Sequence, residues 1–540
     1  MTPAEEKKTE APPASGAWSA LRYPVFRYLW IATVVSNIGA WMYDAASGWL
    51  MTSLSPSPLI VSLVQVANSL PLFLFALPAG ALADMVDKRR LILTLELLTT
   101  VFSAVFAALV ALKLVSPLVL LVFVFLIAAL GAIETPAWQS IVSELVPPAA
   151  LTSAIATNSV GVNISRVLGP ALAGLIILSL GIAAPFWLDA FSNLGVIAVI
   201  LWWRSAARPA HALPPEHLRG AIRAGVRYAR NNRALRATLA RAIGFFLFAS
   251  AYWALLPLLT RTQLQGGPRL YGVLLGAIGA GAVAGAFVLP RLKARSSADA
   301  MIVLGEAGTA LALLLFGIAH GAALAVIACL IAGVSWIVVL ATLNVSAQVA
   351  LPEWVRGRGL AAYVAVFFGT MSVGSLLWGY LAERFGLPLA HALAAAGAVL
   401  ALLATRHRRL GTGPEADLTP SAHWPAPLLA DPVQSDAGPV MVTVEYRVSA
   451  ANRAEFFAAL SYVAHERRRD GAYDWAIFED TAHPERLLEI WFVDSWLEHL
   501  RQHQRVTKAD ERVENRMRKF AQGAPVITHY LSARLPKPPG

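Results

Sequence analysis

The sequence predicts a polytopic α-helical membrane protein: twelve transmembrane helices in two six-helix bundles, followed by a C-terminal α+β domain of ferredoxin-like topology. Three observations carry that prediction. Only 14% of the 540 residues are charged and 57% are hydrophobic, whereas soluble domains carry roughly 25% charged residues. The deficit is uneven, with long apolar runs and short charged breaks over 25–404 and ordinary polarity over 405–540. Lastly, the basic residues collect in alternate breaks, as membrane topology requires.

Taken in order, residues 1–24 form a polar cytoplasmic tail. Its Pro-rich start, MTPAEEKKTEAPPASGAW, does not read as a signal peptide. A span needs about 20 mostly apolar residues. In the first bundle, 25–203, the runs that satisfy this are 27–52, 59–82, 91–112, 117–138, 151–180 and 184–203. A basic linker helix, 204–238, separates them from the second bundle, 239–404, whose runs are 239–259, 270–290, 300–319, 322–344, 359–382 and 387–404. A flexible Pro-, Ala- and Asp-rich linker, 405–437, leads to a cytoplasmic domain over 438–535.

Basic residues orient these spans. With the N-terminus cytoplasmic, the inner breaks hold Lys88, Arg89 and Arg90; Arg291, Lys293 and Arg295; Arg356 and Arg358; and Arg406, Arg408 and Arg409. The outer breaks hold only Lys113, Arg261, Arg269 and Arg384. Both termini are therefore expected on the cytoplasmic side of the inner membrane. In the second half of 204–238, arginines recur every three or four residues. Such a helix suits either anionic headgroups or solvent between two bundles.

Other classes are excluded by simple counts. A single cysteine, Cys329, forbids a disulfide framework and any multi-cysteine metal site. The net charge of +11 does not mark a nucleic-acid binder, because its Lys and Arg residues fall in the breaks where topology needs them.

The halves look related. AWQSIVSELVPPAAL and SAQVALPEWVRGRGL stand at the same break in each, and an offset of 209 (348 − 139) pairs Gln139 with Gln348 and Glu144 with Glu353. Internal repeats of this kind are usual where two bundles rock about a midplane site.

After the second span the chain reads Gly80-Ala81-Leu82-Ala83-Asp84-Met85-Val86-Asp87-Lys88-Arg89-Arg90. This resembles the G-x-L-a-D-r-x-G-r-k loop signature of the major facilitator superfamily, with Met85 in place of a basic residue and Asp87 in place of the second glycine. FRYLWIATVVSNIGAWM (26–42), ETPAWQSIVSELVP (134–147), RVLGPALAG (166–174) and NVSAQVALPEWVRGRGLAAY (344–363) are similar to the branch containing enterobactin-type siderophore exporters and macrolide efflux proteins. The resemblance covers about residues 20–405. It implies the major facilitator fold, transport by alternating access, and a cytoplasmic gate built on Gly80, Asp84, Lys88, Arg89 and Arg90.

Ionisable residues deep in spans are functional candidates. At 1.5 Å per residue, Asp44 and Arg166 lie about 26 and about 22 Å from the inner face, comparable depths on helices of one bundle. They are expected either to form a proton-releasing pair or to lock helix packing, with Asp189 as an alternative partner. Glu306 is expected to snorkel toward, or pair with, the basic inner break, and Glu134 to cap or gate its span. In the fold implied by the resemblance, the first, fourth, seventh and tenth helices face the pathway. Asn37, Trp41, Trp253, Trp336 and Asn344 are accordingly the substrate candidates, and an aromatic, weakly charged cavity suits bulky amphipathic molecules.

In the tail, VMVTVEYRV, YDWAIFED, RLLEIWFV and PVITHYL read as strands, and the segments after Ser449 and Ser495 as helices. The order βαββαβ is ferredoxin-like, and the tail resembles the dimeric α+β barrel of antibiotic-biosynthesis-monooxygenase-like domains. That resemblance implies a capacity to dimerise. His499 and His503 lie four apart on one helix face, but no third ligand is evident, so no metal is expected. The reading is thus a proton-coupled exporter of a small amphipathic molecule, siderophore- or drug-like, in the lipid bilayer. It is not an enzyme and has no cofactor. The alternative is a membrane-anchored enzyme or sensor whose active part is the tail.

Overall fold

The structure is a computed structural model. It describes residues 18–203, 218–410 and 417–533, save 422, 425, 426, 428, 430 and 435. The first half holds α1 (Pro24–Leu54), α2 (Pro58–Met85), α3 (Lys88–Ala111), α4 (Pro117–Leu145), α5 (Leu151–Leu180) and α6 (Ala184–Trp202). After α7 (Leu218–Asn231) come α8 (Arg233–Leu258), α9 (Pro268–Arg295), α10 (Ala298–Ile318), α11 (Ala322–Val349), α12 (Arg356–Phe385) and α13 (Leu387–Thr405). Each expected span is therefore a helix. Eleven of them, α2–α6 and α8–α13, are long and apolar enough to cross a membrane. The remaining one, α1, is 31 residues long and carries Asn37 and Asp44. It packs against α5 and α6, so protein rather than lipid faces much of its polar side.

Sequence punctuation explains the helix ends. Proline opens α1, α2, α4 and α9, where its missing N–H costs nothing. The side chains of Ser57, Asp87, Ser116 and Ser297 cap α2, α3, α4 and α10. Gly181 and Gly386, at φ +89° and +83°, terminate α5 and α12 at equivalent places in the two halves. That equivalence corrects the repeat register. From α4 onward the halves are offset by 205 residues (386 − 181), which pairs Pro147 with Pro352 rather than Gln139 with Gln348. The offset of four reflects a shorter α10 and a shorter turn before α11, and sequence matching alone slipped by one helical turn.

By contacts the chain divides into two units. The first contains residues 1–214, 242–342 and 364–406, the bulk of both helical halves. Its halves meet where small residues let backbones approach. A Cβ on Gly174 of α5 would stand 2.7 Å from the Pro268 carbonyl oxygen of α9, and one on Gly272 would stand 2.8 Å from the Pro170 carbonyl oxygen.

The second unit contains residues 215–241, 343–363 and 407–540. Its sheet comprises β1 (Val440–Arg447), β2 (Tyr473–Glu479), β3 (Arg486–Val493) and β4 (Val526–Leu531) in the antiparallel order β2-β3-β1-β4. Helices α14 (Arg453–Asp470), α15 (Trp496–Arg505) and α16 (Lys508–Arg518) complete the expected βαββαβ order, with the second helical segment broken in two. Inward residues of β1 and β3, Val440, Val442, Val444, Tyr446, Trp491 and Val493, pack on Phe456, Leu460 and Val463 of α14.

Two expectations change here. The described part of α7 lies neither bare on lipid nor free in solvent: it packs against α14, with Tyr228 and Ala229 buried. Several residues of the expected flexible linker are tied down. The Lys508 amide donates to the Thr419 carbonyl at 3.0 Å, the Ser421 amide to the Val506 carbonyl at 3.0 Å, and the Trp424 indole to Glu514 at 3.1 Å.

Candidate functional site: a central cavity and an acidic chamber

Two neighbouring cavities among the described residues of the helical unit hold most of the sequence-derived candidates. The larger in aromatic character, about 430 Å³, is lined from both halves. Trp41, Asp44, Gln65, Asn68, Arg166 and Pro170 come from the first half; Trp253, Tyr271, Trp336, Phe367 and Phe368 come from the second. Its aromatic wall is continuous. The Trp253 and Trp336 rings lie 5.4 Å apart at 70°, Trp336 lies 5.9 Å from Phe367, and Phe367 lies 4.3 Å from Phe368. Edge-to-face pairing of this kind adds to the energy of burial and fixes the wall.

The second cavity, about 450 Å³, belongs to the first half alone. Four carboxyl groups line it: Asp44, Glu96, Glu134 and Asp189, with Asn37, Asn68, Asn158 and Asn193. Asp44 and Asn68 line both cavities side by side. Asp189 is buried and accepts a 2.7 Å hydrogen bond from the Ser103 hydroxyl. Glu96 and Glu134 face one another. The chamber thus places exchangeable protons beside a ligand-sized apolar space.

The sequence-derived candidates separate across these cavities. Trp41, Trp253 and Trp336 line the aromatic cavity, whereas Asn37 lines the acidic chamber. Asn344 lies in the second unit, exposed, and its amide oxygen accepts from Gln348 at 3.1 Å. Asp44 and Arg166 share the aromatic cavity but do not form the expected ion pair in this conformation. Arg166 instead sits over the Trp41 ring at 5.4 Å, and its buried Nε has no hydrogen-bond partner. Glu306 is buried within α10 rather than snorkelling to the headgroups.

Glu96 was missed by sequence reasoning. It stands in LILTLELLTT, and an acid in a span that apolar was signal enough.

The loop motif's described residues hold helix ends. Asp87, in the second-glycine position, caps α3 by accepting from the Arg90 amide at 2.8 Å. Arg89 donates to the carbonyls of Ile200 and Leu201, both at 3.0 Å, and so closes the C-terminus of α6. Lys88 opens α3 and Arg90 is exposed. Gly80 and Asp84 stand in the last turns of α2, and their side-chain surroundings lie outside the described residues.

Comparisons agree with this architecture. The sequence matches the family described as Transmembrane secretion effector (MFS_3) over residues 15–537. It is 24% identical to the staphyloferrin A transporter of Staphylococcus aureus over 373 residues, covering 67% of this chain and 90% of that protein. It is 26% identical over 420 residues to the multidrug efflux pump Tap of Mycobacterium tuberculosis, covering 74% and 97%. A solved POT family transporter in complex with 5-aminolevulinic acid superposes with a TM-score of 0.59 at 12% identity, over 70% of this chain and 94% of its own. A bacterial homologue of the human lysosomal transporter Spinster, inward-facing and unoccupied, superposes with a TM-score of 0.52 at 16% identity, over 71% and 94%. These likenesses show the fold. Twelve long helices in two repeated halves, a cavity lined from both, and a family match spanning nearly the whole chain make this protein a multi-pass membrane transporter of the MFS_3 family of the major facilitator superfamily.

Proposed function

We propose that the protein exports bulky amphipathic small molecules, siderophore- or drug-like, by alternating access coupled to proton entry. One observation carries the reading: Asp44 and Asn68 join an aromatic cavity lined from both halves to a chamber holding four carboxyl groups. A flat or lipophilic substrate gains from the tryptophan wall. A carboxyl group at the shared wall can exchange its proton when substrate arrives or leaves, which is how intramembrane acids couple transport to a proton gradient. The named functions of the staphyloferrin A transporter and the Tap pump support the substrate class and the outward direction.

The proposed setting is the inner membrane with both termini cytoplasmic, an orientation that the distribution of Lys and Arg supports. In that orientation the contacts between halves support an inward-facing state. They run from the outer ends to midspan: Arg261 donates to Thr52 and Ser53, the Leu59 amide donates to Glu383 at 3.1 Å, Gly174 meets α9 near its start, and the Ser69 and Ser372 hydroxyls share a hydrogen bond at 2.7 Å. Gly80, Asp84, Lys88, Arg89 and Arg90 would then form the inner gate. Asp44, Arg166 and Asp189 are the coupling candidates, with Arg166 free to exchange Trp41 for a carboxylate as the halves rock.

The tail's role is dimerisation. The uncovered face of its sheet presents Tyr473, Phe478, Leu488 and Tyr530 partly exposed, an apolar surface suited to a second copy. A second reading, in which the tail is an enzyme anchored by the bundle, rests on its own cavity of about 340 Å³.

The test is transport into everted vesicles under an imposed pH gradient, comparing wild type, Asp44→Asn, Arg166→Gln, the double variant and a chain truncated before 411. Non-additive losses in the double variant and uncoupler-sensitive uptake are expected. Additive losses, or uptake indifferent to the gradient, would overturn the coupling scheme. Transport untouched by truncation, together with a lost oxidation activity, would favour the enzyme reading.

A further inference from the structure

The tail holds a group of side chains that transport does not use. His499 and His503 stand one turn apart on α15, and their Nε2 atoms are 3.3 Å apart. The structure supplies what the sequence did not show, a third imidazole. His529 on β4, paired with Val442 of β1, points to the same spot, and one ligand nitrogen from each of the three lies within 4.8 Å of the others. Its ring centroid is 4.7 Å from that of His499.

We infer that His499, His503 and His529 form a binding site for a divalent transition metal of the zinc, nickel and copper class. The spacing fits: nitrogens at 2.0–2.1 Å from a shared tetrahedral ion stand roughly 3.3 Å apart. One pair is already there, and His529 has only to close by rotation. The donor set fits as well. Three imidazoles select borderline ions over Mg²⁺ or Ca²⁺, which prefer oxygen. The nearest lining acid, Glu514, is held by Arg467, His423 and Trp424 rather than turned to the histidines.

The surroundings suit ligands more than a hydrogen-bonded packing motif. The Nδ1 atom of buried His499 has no hydrogen-bond partner, and the contact with His503 is the only histidine-to-histidine hydrogen bond in the trio. Trp496 packs on His499 and Trp424 on His503, at ring distances of 5.3 and 5.2 Å, fixing both rings from outside. A three-histidine ion keeps one position open. Here that position faces the 340 Å³ cavity walled by Tyr446, Trp491 and Trp424, where water or a donor atom of a small molecule would complete the shell.

The experiment uses the full chain, tag-free and in detergent, stripped with chelator and titrated with Zn²⁺ against a chromophoric competitor. Co²⁺ is then substituted to read ligand geometry by visible absorption. One ion per chain and a tetrahedral Co²⁺ spectrum are expected. His503→Gln and His529→Gln, at half-buried positions, should each weaken binding at least about tenfold, about 1.4 kcal/mol, and change that spectrum. His483→Gln, on an exposed turn, should alter neither. Absence of stoichiometric binding overturns the site, and so does wild-type affinity in either ligand variant. Thermal unfolding of each variant without metal, matching wild type, shows that a loss of binding is a loss of ligand and not of fold.

Discussion

The bundle and the tail bury charge in opposite ways. In the tail the buried arginines Arg467, Arg469 and Arg505 are each answered by a carboxylate. Arg467 pairs with Glu514 at 2.7 Å and Glu489 at 3.6 Å, while Arg469 forks onto Asp470 and Asp510 at 2.7 and 2.8 Å. In the bundle Asp44, Glu96, Glu134 and Asp189 share a chamber, and among the described residues their polar partners are amides, hydroxyls and one another. A paired buried charge is fixed, because removing either partner strands the other. A buried carboxyl without a cation can gain or lose a proton at far smaller structural cost. The contrast teaches which charges hold the molecule together and which are placed to change during its work.

The sharpest way to break this contrast is Asp44→Asn. If the chamber acts, gradient-driven transport falls at least about 100-fold, about 2.7 kcal/mol, while expression and melting temperature stay near wild type. Vesicle uptake and a thermal scan measure both. Equal uptake with and without the carboxyl would make the chamber structural, like the tail.

Arg467→Ala should do the reverse. It strands Glu514 and Glu489 in the tail core, a loss of about 3–5 kcal/mol, visible as early proteolysis within 438–533 while the helices persist. Acid should act on the same network. Burial alone would raise the Glu514 carboxyl, but Arg467, His423 and Arg518 outweigh it and hold it at about 2, below its ordinary 4.5. A depressed carboxylate contributes stability that is present above pH 4.5 and lost as pH falls toward 2, in this case about 3 kcal/mol. Tail unfolding should therefore follow acid over that window, and Glu514→Gln should flatten the dependence.

Gly174→Val targets the seam between halves. The added carbons meet the Pro268 carbonyl, so close approach of α5 to α9 should cost about 1–3 kcal/mol. Cysteine labelling of the cavity from each side of the membrane measures the shift. A conformation closed at this end should lose population roughly tenfold per 1.4 kcal/mol.

How much of this was legible depended on the range of the signal. Spans are local, so the apolar runs and the basic breaks between them marked them. The tail's strands followed from alternation, whereas the break between α15 and α16 shows only in the structure, where Thr507 caps α16. Trp41, Trp253 and Trp336 were reachable because the implied fold says which helices face the pathway. Asn344 misled because it stands five residues before the end of α11, past the cavity. Arg166 was matched to Asp44 by depth, but depth says nothing of azimuth, and it turned to Trp41. His529 was out of reach for a different reason. Only the pairing of β4 with β1 brings it to α15 from 26 residues beyond His503 (529 − 503).

The smallest expected effect asks whether the two regions are as separate as their charges suggest. Within the second unit Arg505 is a hub. It donates to Glu498 at 2.5 Å and to the Asp470 carbonyl at 3.0 Å, and lies over the Trp354 ring at 4.5 Å. Glu498 also meets Arg227 of α7 at 3.4 Å. Trp354 lies in the turn joining α11 to α12, two helices that run on into the bundle and contribute Trp336 and Phe367 to the cavity. Arg505→Ala should cost about 1–2 kcal/mol, a cation–π contact plus a partly screened charge pair, read as faster hydrogen exchange over 225–231 and 353–356. Arg505→Lys keeps the charge but loses the planar fork, so it should recover only part of the protection. A tail that merely hangs on the bundle leaves transport rates unchanged in both variants. A rate change that tracks exchange in the order Ala, Lys, wild type would mean that the tail biases the α11–α12 turn, and through those continuous helices the cavity itself.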